Sequence, residues 1–269
     1  MKKRRADEAL TEQLGLEKIE LARALIMEGR VMSGDRKILR GSEMIRPEEV
    51  LRVRGEIDSY VSRGAHKLKR ALEVFHIDLR GKTCVDIGAS TGGFTDVMLR
   101  AGAKQVYSVD VGYNLLDYRL RSNPHVTVME KTNARFLKPE DFPVRPEFGA
   151  TDVSFISLKA VLPPALSVIQ PGGQFVALIK PQFEAAKEDV GEKGVVRDPE
   201  VHRRVLCDIL DFIPSTGWYT VGLDYSPIRG PEGNIEFLLE LADHPEANAE
   251  ISVASTLRAA YDKFMKSLN

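Results

Sequence analysis

Residues 83–95 run Thr83-Cys84-Val85-Asp86-Ile87-Gly88-Ala89-Ser90-Thr91-Gly92-Gly93-Phe94-Thr95. They read as a buried strand, a glycine-rich turn and the start of a helix. Such a turn suits a nucleotide-type ligand, because glycines admit it to the backbone and the helix N-terminus points N–H groups at it. A dinucleotide fingerprint would place glycine at position 90, against the pyrophosphate, and this chain has Ser90. The turn therefore suits S-adenosylmethionine, which has no phosphate, better than NAD. Asp110 ends the next strand, 22 residues after Gly88, where a carboxylate accepts both hydroxyls of a ribose. Asn133, just past the third strand, is expected at the adenine edge. The expected cofactor set is Asp86, Gly88, Ala89, Ser90, Thr91, Gly92, Gly93, Phe94, Asp110 and Asn133. Asp86 is either a buried carboxylate bracing the loop or an exposed strand-end residue; its place inside an apolar strand favours the first. The plain alternative is that the glycines only make a tight turn.

Two further strand ends carry polar side chains: Thr151-Asp152-Val153-Ser154-Phe155 and Ile179-Lys180-Pro181-Gln182-Phe183-Glu184. An N-methyltransferase acting on a base amine would usually show a proline pair at the first; Val153-Ser154 stands there instead. Glu236 opens the last strand, in Gly233-Asn234-Ile235-Glu236-Phe237, and Lys67 lies upstream. Each of these four charges alone is ordinary for a surface ion pair. As a set at matching strand ends, they make a candidate catalytic group. His66 has no cysteine or carboxylate at metal spacing, so no metal is expected.

The elements that must hold these residues alternate along the body. Strands are expected at 83–87, 105–111, 126–129, 149–153, 174–179, 218–223 and 235–241, and helices at 66–75, 94–101, 115–120, 158–169 and 200–212. The strands are short and rich in Val and Ile, as in a parallel sheet covered on both faces. The pattern implies an α/β, Rossmann-like doubly wound sheet whose ligand sits at the carboxyl ends of the strands. No helix fits between the last two strands, so the final strand is expected to be antiparallel. Residues 1–55 form a separate small α+β unit, with helices around Ala6, Leu10 and Leu14 and over 19–27, and strands at 31–32 and 50–53. Residues 56–61 read as a linker, 62–243 as the body, and 244–269 as a tail helix that docks or dimerises. The charged stretch 187–197 is a solvated loop, or else a lid or an RNA-contacting segment.

Of the chain's 269 residues, 38 are basic and 39 acidic, so the whole is no polybasic binder. Residues 1–80 nevertheless hold 18 basic and 14 acidic side chains, which points the front end at a polyanion. Two cysteines, Cys84 and Cys207, make no disulfide framework and fit a reducing cytoplasm. Met1-Lys2-Lys3-Arg4-Arg5 begins like a signal peptide, but Asp7, Glu8 and Glu12 follow at once. Prolines and glycines break the longest uncharged stretch, and no alternating barrel pattern is present. Cytoplasmic location and no stable membrane insertion are therefore expected; the oligomeric state stays open.

The chain resembles the TlyA-type family, often called hemolysin A, whose members resemble FtsJ-like ribosomal RNA 2′-O-methyltransferases. The resemblance rests on Ser62-Arg63-Gly64-Ala65-His66-Lys67-Leu68, the glycine turn, Ile179-Lys180-Pro181-Gln182-Phe183-Glu184 and Gly230-Pro231-Glu232-Gly233-Asn234. In front, Arg23-Ala24-Leu25-Ile26-Met27-Glu28-Gly29-Arg30-Val31 resembles the RNA-binding module of ribosomal small-subunit protein four. The resemblance implies S-adenosylmethionine as cofactor, cytidine riboses of ribosomal RNA in ribosomal subunits as substrate, and the tetrad Lys67, Asp152, Lys180 and Glu236. RNA contacts are then expected from Arg4, Arg23, Arg30, Lys37, Arg40 and Arg63. Relatives often carry Trp-Val in the linker, where this chain has Tyr60-Val61. A ribose hydroxyl is a poor nucleophile that must lose its proton during in-line attack. Lys180 is expected to be the base or to orient the hydroxyl, with Asp152 and Lys67 aligning it and Glu236 holding the geometry. Lys67 would lower the pKa of Lys180 and the carboxylates would oppose that. Two rival readings are a membrane-active hemolysin and a non-catalytic RNA-binding assembly factor.

Overall fold

The computed structural model describes residues 3–16, 19–27, 29–54, 60–244 and 251–265. Residues 56–59 of the expected 56–61 linker, and Leu268, lie outside them. The chain divides into two compact units, Met1–Ser59 and Tyr60–Asn269.

The first unit holds β1 (Arg4–Arg5), α1 (Ala6–Leu14), α2 (Ile19–Met27), β2 (Val31–Ser33), β3 (Arg36–Lys37), β4 (Met44–Ile45) and β5 (Leu51–Val53). Gly15, at φ +60°, ends α1. Strands β3, β2 and β5 form one antiparallel sheet, and β1 pairs with β4. Ala6, Leu10, Ala22, Ile26, Val31 and Ile45 make its core. Three of the five strands have two residues each, too short for any periodicity to announce them. Among the described residues of this unit one charge is buried: the Asp7 carboxylate accepts from Arg5 Nη2 at 2.8 Å and from Arg23 Nε at 2.9 Å.

The second unit is built on β6 (Thr83–Ile87), β7 (Gln105–Val109), β8 (Val126–Met129), β9 (Phe148–Thr151), β10 (Gln174–Ile179), β11 (Tyr219–Tyr225) and β12 (Phe237–Ala242). Its helices are α3 (Ala65–Val74), α4 (Gly93–Arg100), α5 (Tyr118–Arg121), α6 (Leu158–Ser167), α7 (Pro181–Glu184), α8 (Pro199–Phe212) and α9 (Val253–Met265). The sheet order is β11-β12-β10-β9-β6-β7-β8. Strands β8 to β10 pair in parallel, and β12 lies antiparallel between β10 and β11. The antiparallel final strand thus follows the expectation. Both faces are covered. Residues of α3 and α4 share one core with Cys84, Val106, Phe148 and Leu178. Those of α6, α8 and α9 share the other with Val85, Ile87, Phe175 and Leu239. The tail helix therefore docks on its own unit, through Leu257, Ala260 and Phe264.

One helix is shorter than its apolar spacing suggests. The expected helix at 115–120 shrinks to the four residues of α5. Asn114 stands at φ +58°, and the Asp117 side chain caps the helix by accepting from the Arg119 amide at 2.9 Å.

Paired to two guanidiniums, Arg5 first, the Asp7 carboxyl is held down at about 2. A depressed carboxyl supports the fold above its unfolded value near 3.8 and loses that support as pH falls through about 2. The protection of the α1 amides, measured as exchange relative to the intrinsic rate at each pH, should therefore fall as pH drops from about 4 to about 2. In Asp7→Asn that pH-dependent part should vanish; an unchanged profile would contradict the anchoring role.

Candidate active site

The glycine turn leaves β6 at the carboxyl end of the sheet, and each unusual backbone angle has a spatial reason. Gly88 sits at φ +84°, where an added Cβ would lie 2.9 Å from the Asp152 carbonyl oxygen. At Gly92, φ +96°, it would meet Leu120 Cδ1 at 2.2 Å. Ser90 itself takes a left-handed φ of +48°. The position thus keeps the conformation of a glycine while carrying a hydroxyl. The Ser90 amide donates to Asp110 Oδ2 at 2.7 Å, and the Gly112 amide donates to Asp110 Oδ1 at 2.7 Å. Asp110 therefore stitches the ends of β6 and β7 together.

Asp86 is fully buried, as its strand position favours. Its Oδ2 accepts from the Thr95 amide at 2.8 Å and from Thr95 Oγ1 at 2.7 Å, bracing the first turn of α4. Its Oδ1 has no hydrogen-bond partner among the described residues. Burial pushes the carboxyl up to about 7.

Two adjoining cavities flank the turn. The larger, about 640 Å³, is lined by Gly88, Ser90, Asp110, Asn133, Asp152 and Phe155, among others. The smaller, about 240 Å³, takes in Arg63, Lys67, Asp86, Ala89, Thr91, Gly93, Phe94 and Lys180. The expected cofactor residues other than Gly92 thus line one cavity or the other; Gly92 shapes the turn from behind. The larger cavity has the size of a small-molecule pocket.

The four candidate catalytic side chains converge. Asp152 follows β9 and Lys180 follows β10, both at the carboxyl ends of parallel strands. Glu236 precedes β12, and because β12 runs antiparallel its beginning reaches that same end. Lys67 comes from the first turn of α3. Its Nζ lies 3.1 Å from Asp152 Oδ2 and 2.7 Å from Glu236 Oε2. Lys180 Nζ lies 2.5 Å from Asp152 Oδ1 and donates to Ser154 Oγ at 2.9 Å. Both lysines are only 7% exposed and Glu236 is fully buried. Burial alone pulls the Lys67 ammonium down, but Asp152 and Glu236 together outweigh it and leave its pKa raised. Burial likewise pushes Asp152 up, and Lys67 and Lys180 outweigh it, so its pKa is lowered. Lys67 is thus a fixed ammonium that holds two carboxylates.

Several participants escaped the sequence. Ser154, a neighbour of Asp152, is a partner of Lys180. Gly230 makes room: a Cβ there would lie 2.2 Å from Glu236 Oε1. Phe155, 91% exposed and at φ +63°, lies with its ring 5.1 Å from Phe183 beside Lys180. A bulky side chain in that conformation was the one local signal to be had, and φ is invisible before folding. The stretch 187–197 is not simply solvated: Asn234 accepts from the Val196 amide at 3.0 Å, and Arg204 pairs with Asp189 at 2.8 Å. The expected RNA contacts divide. Arg4 pairs with Glu12, Arg23 with Asp7, and Arg30 donates to the Arg54 carbonyl at 3.0 Å. Arg63 donates to the Arg229 carbonyl at 3.2 Å, while Lys37 and Arg40 are exposed.

A seven-stranded sheet of this order, with a glycine turn and polar strand ends facing one cleft, is the Rossmann-like methyltransferase architecture. The FtsJ-like methyltransferase model matches residues 60–242, and the chain belongs to that family. YqxC of Bacillus subtilis, provisionally named an rRNA methyltransferase, is 48% identical over 241 residues, covering 89% of this chain and 86% of its own. TlyA of Mycobacterium tuberculosis, named a 16S/23S rRNA (cytidine-2′-O)-methyltransferase, is 47% identical over 183 residues, 68% of each chain. A solved structure from Streptococcus thermophilus, provisionally named a hemolysin, matches with a TM-score of 0.79 at 41% identity, covering 100% of this chain and 99% of that one.

Gly230→Ala tests the fit around Glu236. The backbone there tolerates alanine, since its φ is not in the left-handed region, so any effect reports the space taken from the carboxylate. The variant should unfold at a lower denaturant midpoint, by about 1–3 kcal/mol. A midpoint equal to the wild type would show that the carboxylate has room to move.

Proposed function

We propose that the protein transfers the methyl group of S-adenosylmethionine to a ribose 2′-hydroxyl of cytidine in ribosomal RNA. The observation that carries this reading is the gathering of Lys67, Asp152, Lys180 and Glu236 beside the glycine turn. The names of the relatives YqxC and TlyA support the choice of substrate.

The residues present suit the cofactor. Gly88 has no Cβ to fill the cradle, and Asp110, with a carboxylate for a ribose, and Asn133 line the same cavity. The buried Asp86 Oδ1 adds an acceptor without a partner beneath them. When bound, S-adenosylmethionine supplies an electrophilic methyl on a sulfonium. Everything else falls to the chain. Lys180 pairs with Asp152 and donates to Ser154, and in this reading it also donates to the ribose oxygen and aims its lone pair at the methyl. The hydroxyl proton becomes acidic as the new C–O bond forms, so a weak base suffices late in the step. Asp152, held ionised by two lysines, is positioned to accept it. Lys67 and Glu236 keep that carboxylate from turning away. The exposed Phe155 ring and the half-buried Phe183 ring offer an apolar face next to Lys180 on which a base can stack.

The first unit is read as an RNA grip through phosphates. The membrane reading gains no support here: among the described residues, no helix is long and apolar enough to cross a membrane.

The test is transfer of tritiated methyl from S-adenosylmethionine to purified ribosomal subunits, followed by mapping of the modified nucleotide. Lys180→Ala should lower the rate about 10²-fold or more while binding cofactor normally. A folded, cofactor-binding Lys180→Ala that methylates at the wild-type rate would refute the role of Lys180, and no methylation of any subunit by the wild type would refute the function. For the first unit, Lys37→Ala/Arg40→Ala should weaken RNA binding and flatten its salt dependence by about one to two in log–log slope. An unaltered slope would remove those two residues from the interface.

A further inference from the structure

Helix α9 lies outside the segment matched by the family model, yet its last turn connects to the tetrad. Arg229 Nη2 donates to the Phe264 carbonyl at 3.0 Å, and the guanidinium carbon stands 5.1 Å from the centre of the Phe264 ring. Phe264 is itself part of the core under the sheet, so it is a firm attachment. From Arg229 the chain passes straight to Gly230. That residue donates its amide to the Asn234 carbonyl at 2.9 Å, and a Cβ on it would lie 2.2 Å from Glu236 Oε1. At the other end of this short loop, the Asn234 side chain donates to the Gly194 carbonyl at 2.9 Å. The loop is thus pinned at both ends, at one by Arg229 to α9 and at the other by Asn234 to the 187–197 stretch. Gly230, at its start, forms the wall on which Glu236 rests. Glu236 in turn lies 2.7 Å from Lys67, and Lys67 lies 3.1 Å from Asp152.

We propose that Arg229 is a positioning residue for methyl transfer, clamping the Glu236 wall to the final helix. The proposal rests on reading Glu236 as a member of the catalytic group. Arg suits the task better than Lys, because a planar guanidinium bonds a carbonyl and stacks on an aromatic ring at once. Its effect on rate is indirect. If the wall loosens, Glu236 swings, Lys67 follows, and Asp152 loses its alignment toward the ribose. Displacements of this size matter, since misplacing a reacting group by about 1 Å costs on the order of 10²-fold. On this view the tail helix is part of the active-site scaffold.

The experiment compares wild type, Arg229→Ala, Glu236→Gln and the double variant of the full chain in single-turnover methyl transfer to ribosomal subunits. Cofactor affinity is measured by calorimetry. Arg229→Ala should lower the single-turnover rate constant about tenfold with cofactor affinity unchanged. Because it acts through Glu236, it should cost little further in the Glu236→Gln background. Arg229→Lys, which keeps one donor, should recover part of the loss. A folded Arg229→Ala with the wild-type rate constant would overturn the proposal, and so would an equal loss in both backgrounds. Should Arg229→Ala not fold, Arg229→Lys is read alone: about threefold slower supports the clamp, and the wild-type rate overturns it. Glu236→Gln at the wild-type rate sinks the catalytic reading of the tetrad itself. An impaired Glu236→Gln beside a fully active Arg229→Ala sinks only the clamp.

Discussion

Two ammonium groups, each only 7% exposed, sit at the mouth of one cleft, and they can do so only because Asp152 and Glu236 lie against them. Burying a charge is costly unless it is paired, and removing one partner of a buried pair leaves the other uncompensated. The four residues therefore stand or fall together. Three come from the carboxyl-end edge of the sheet and the fourth from the helix over it, so the sheet must be correctly ordered before the charges can cancel. Neutrality as a set also explains why the group survives burial: two positive and two negative side chains leave no net charge to solvate.

The pairing decides the protonation states as well. Lys67 stands between two carboxylates and is held as an ammonium. Asp152 stands between two ammoniums and is held as a carboxylate. Of the two roles the sequence suggests for Lys67, lowering the pKa of Lys180 and aligning it, the contacts with Asp152 and Glu236 bear on the second. Lys67 lies against two carboxylates, and under the proposed function a ribose hydroxyl would meet a donor and an ionised acceptor already aligned.

Much of this was legible in the chain, for a physical reason. Parallel strands buried on both faces must be continuous runs of Val and Ile, so 83–87 and 174–179 declare themselves. The glycine turn and the polar residues just past the strands follow from the same logic. Long-range pairing left no such mark. Nothing local distinguishes Arg23, engaged by Asp7, from Lys37, exposed to solvent. The left-handed backbone of Ser90 and Phe155 is set by tertiary packing that overrides residue preference. Gly230 carried a motif, but its purpose, to leave space for a carboxylate six residues on, needs coordinates.

The insertion of β12 between β10 and β11 has a temporal meaning. Strands β6 to β10 can assemble in the order in which they are synthesised, each beside one already made or soon to follow. The slot next to β10 must instead stay open until residue 242 has emerged, while β11 waits without a neighbour. Glu236 arrives with that late strand. A nascent chain thus carries both lysines and the cofactor turn well before the pocket is electrically balanced, and catalytic competence is among the last properties to appear during biosynthesis.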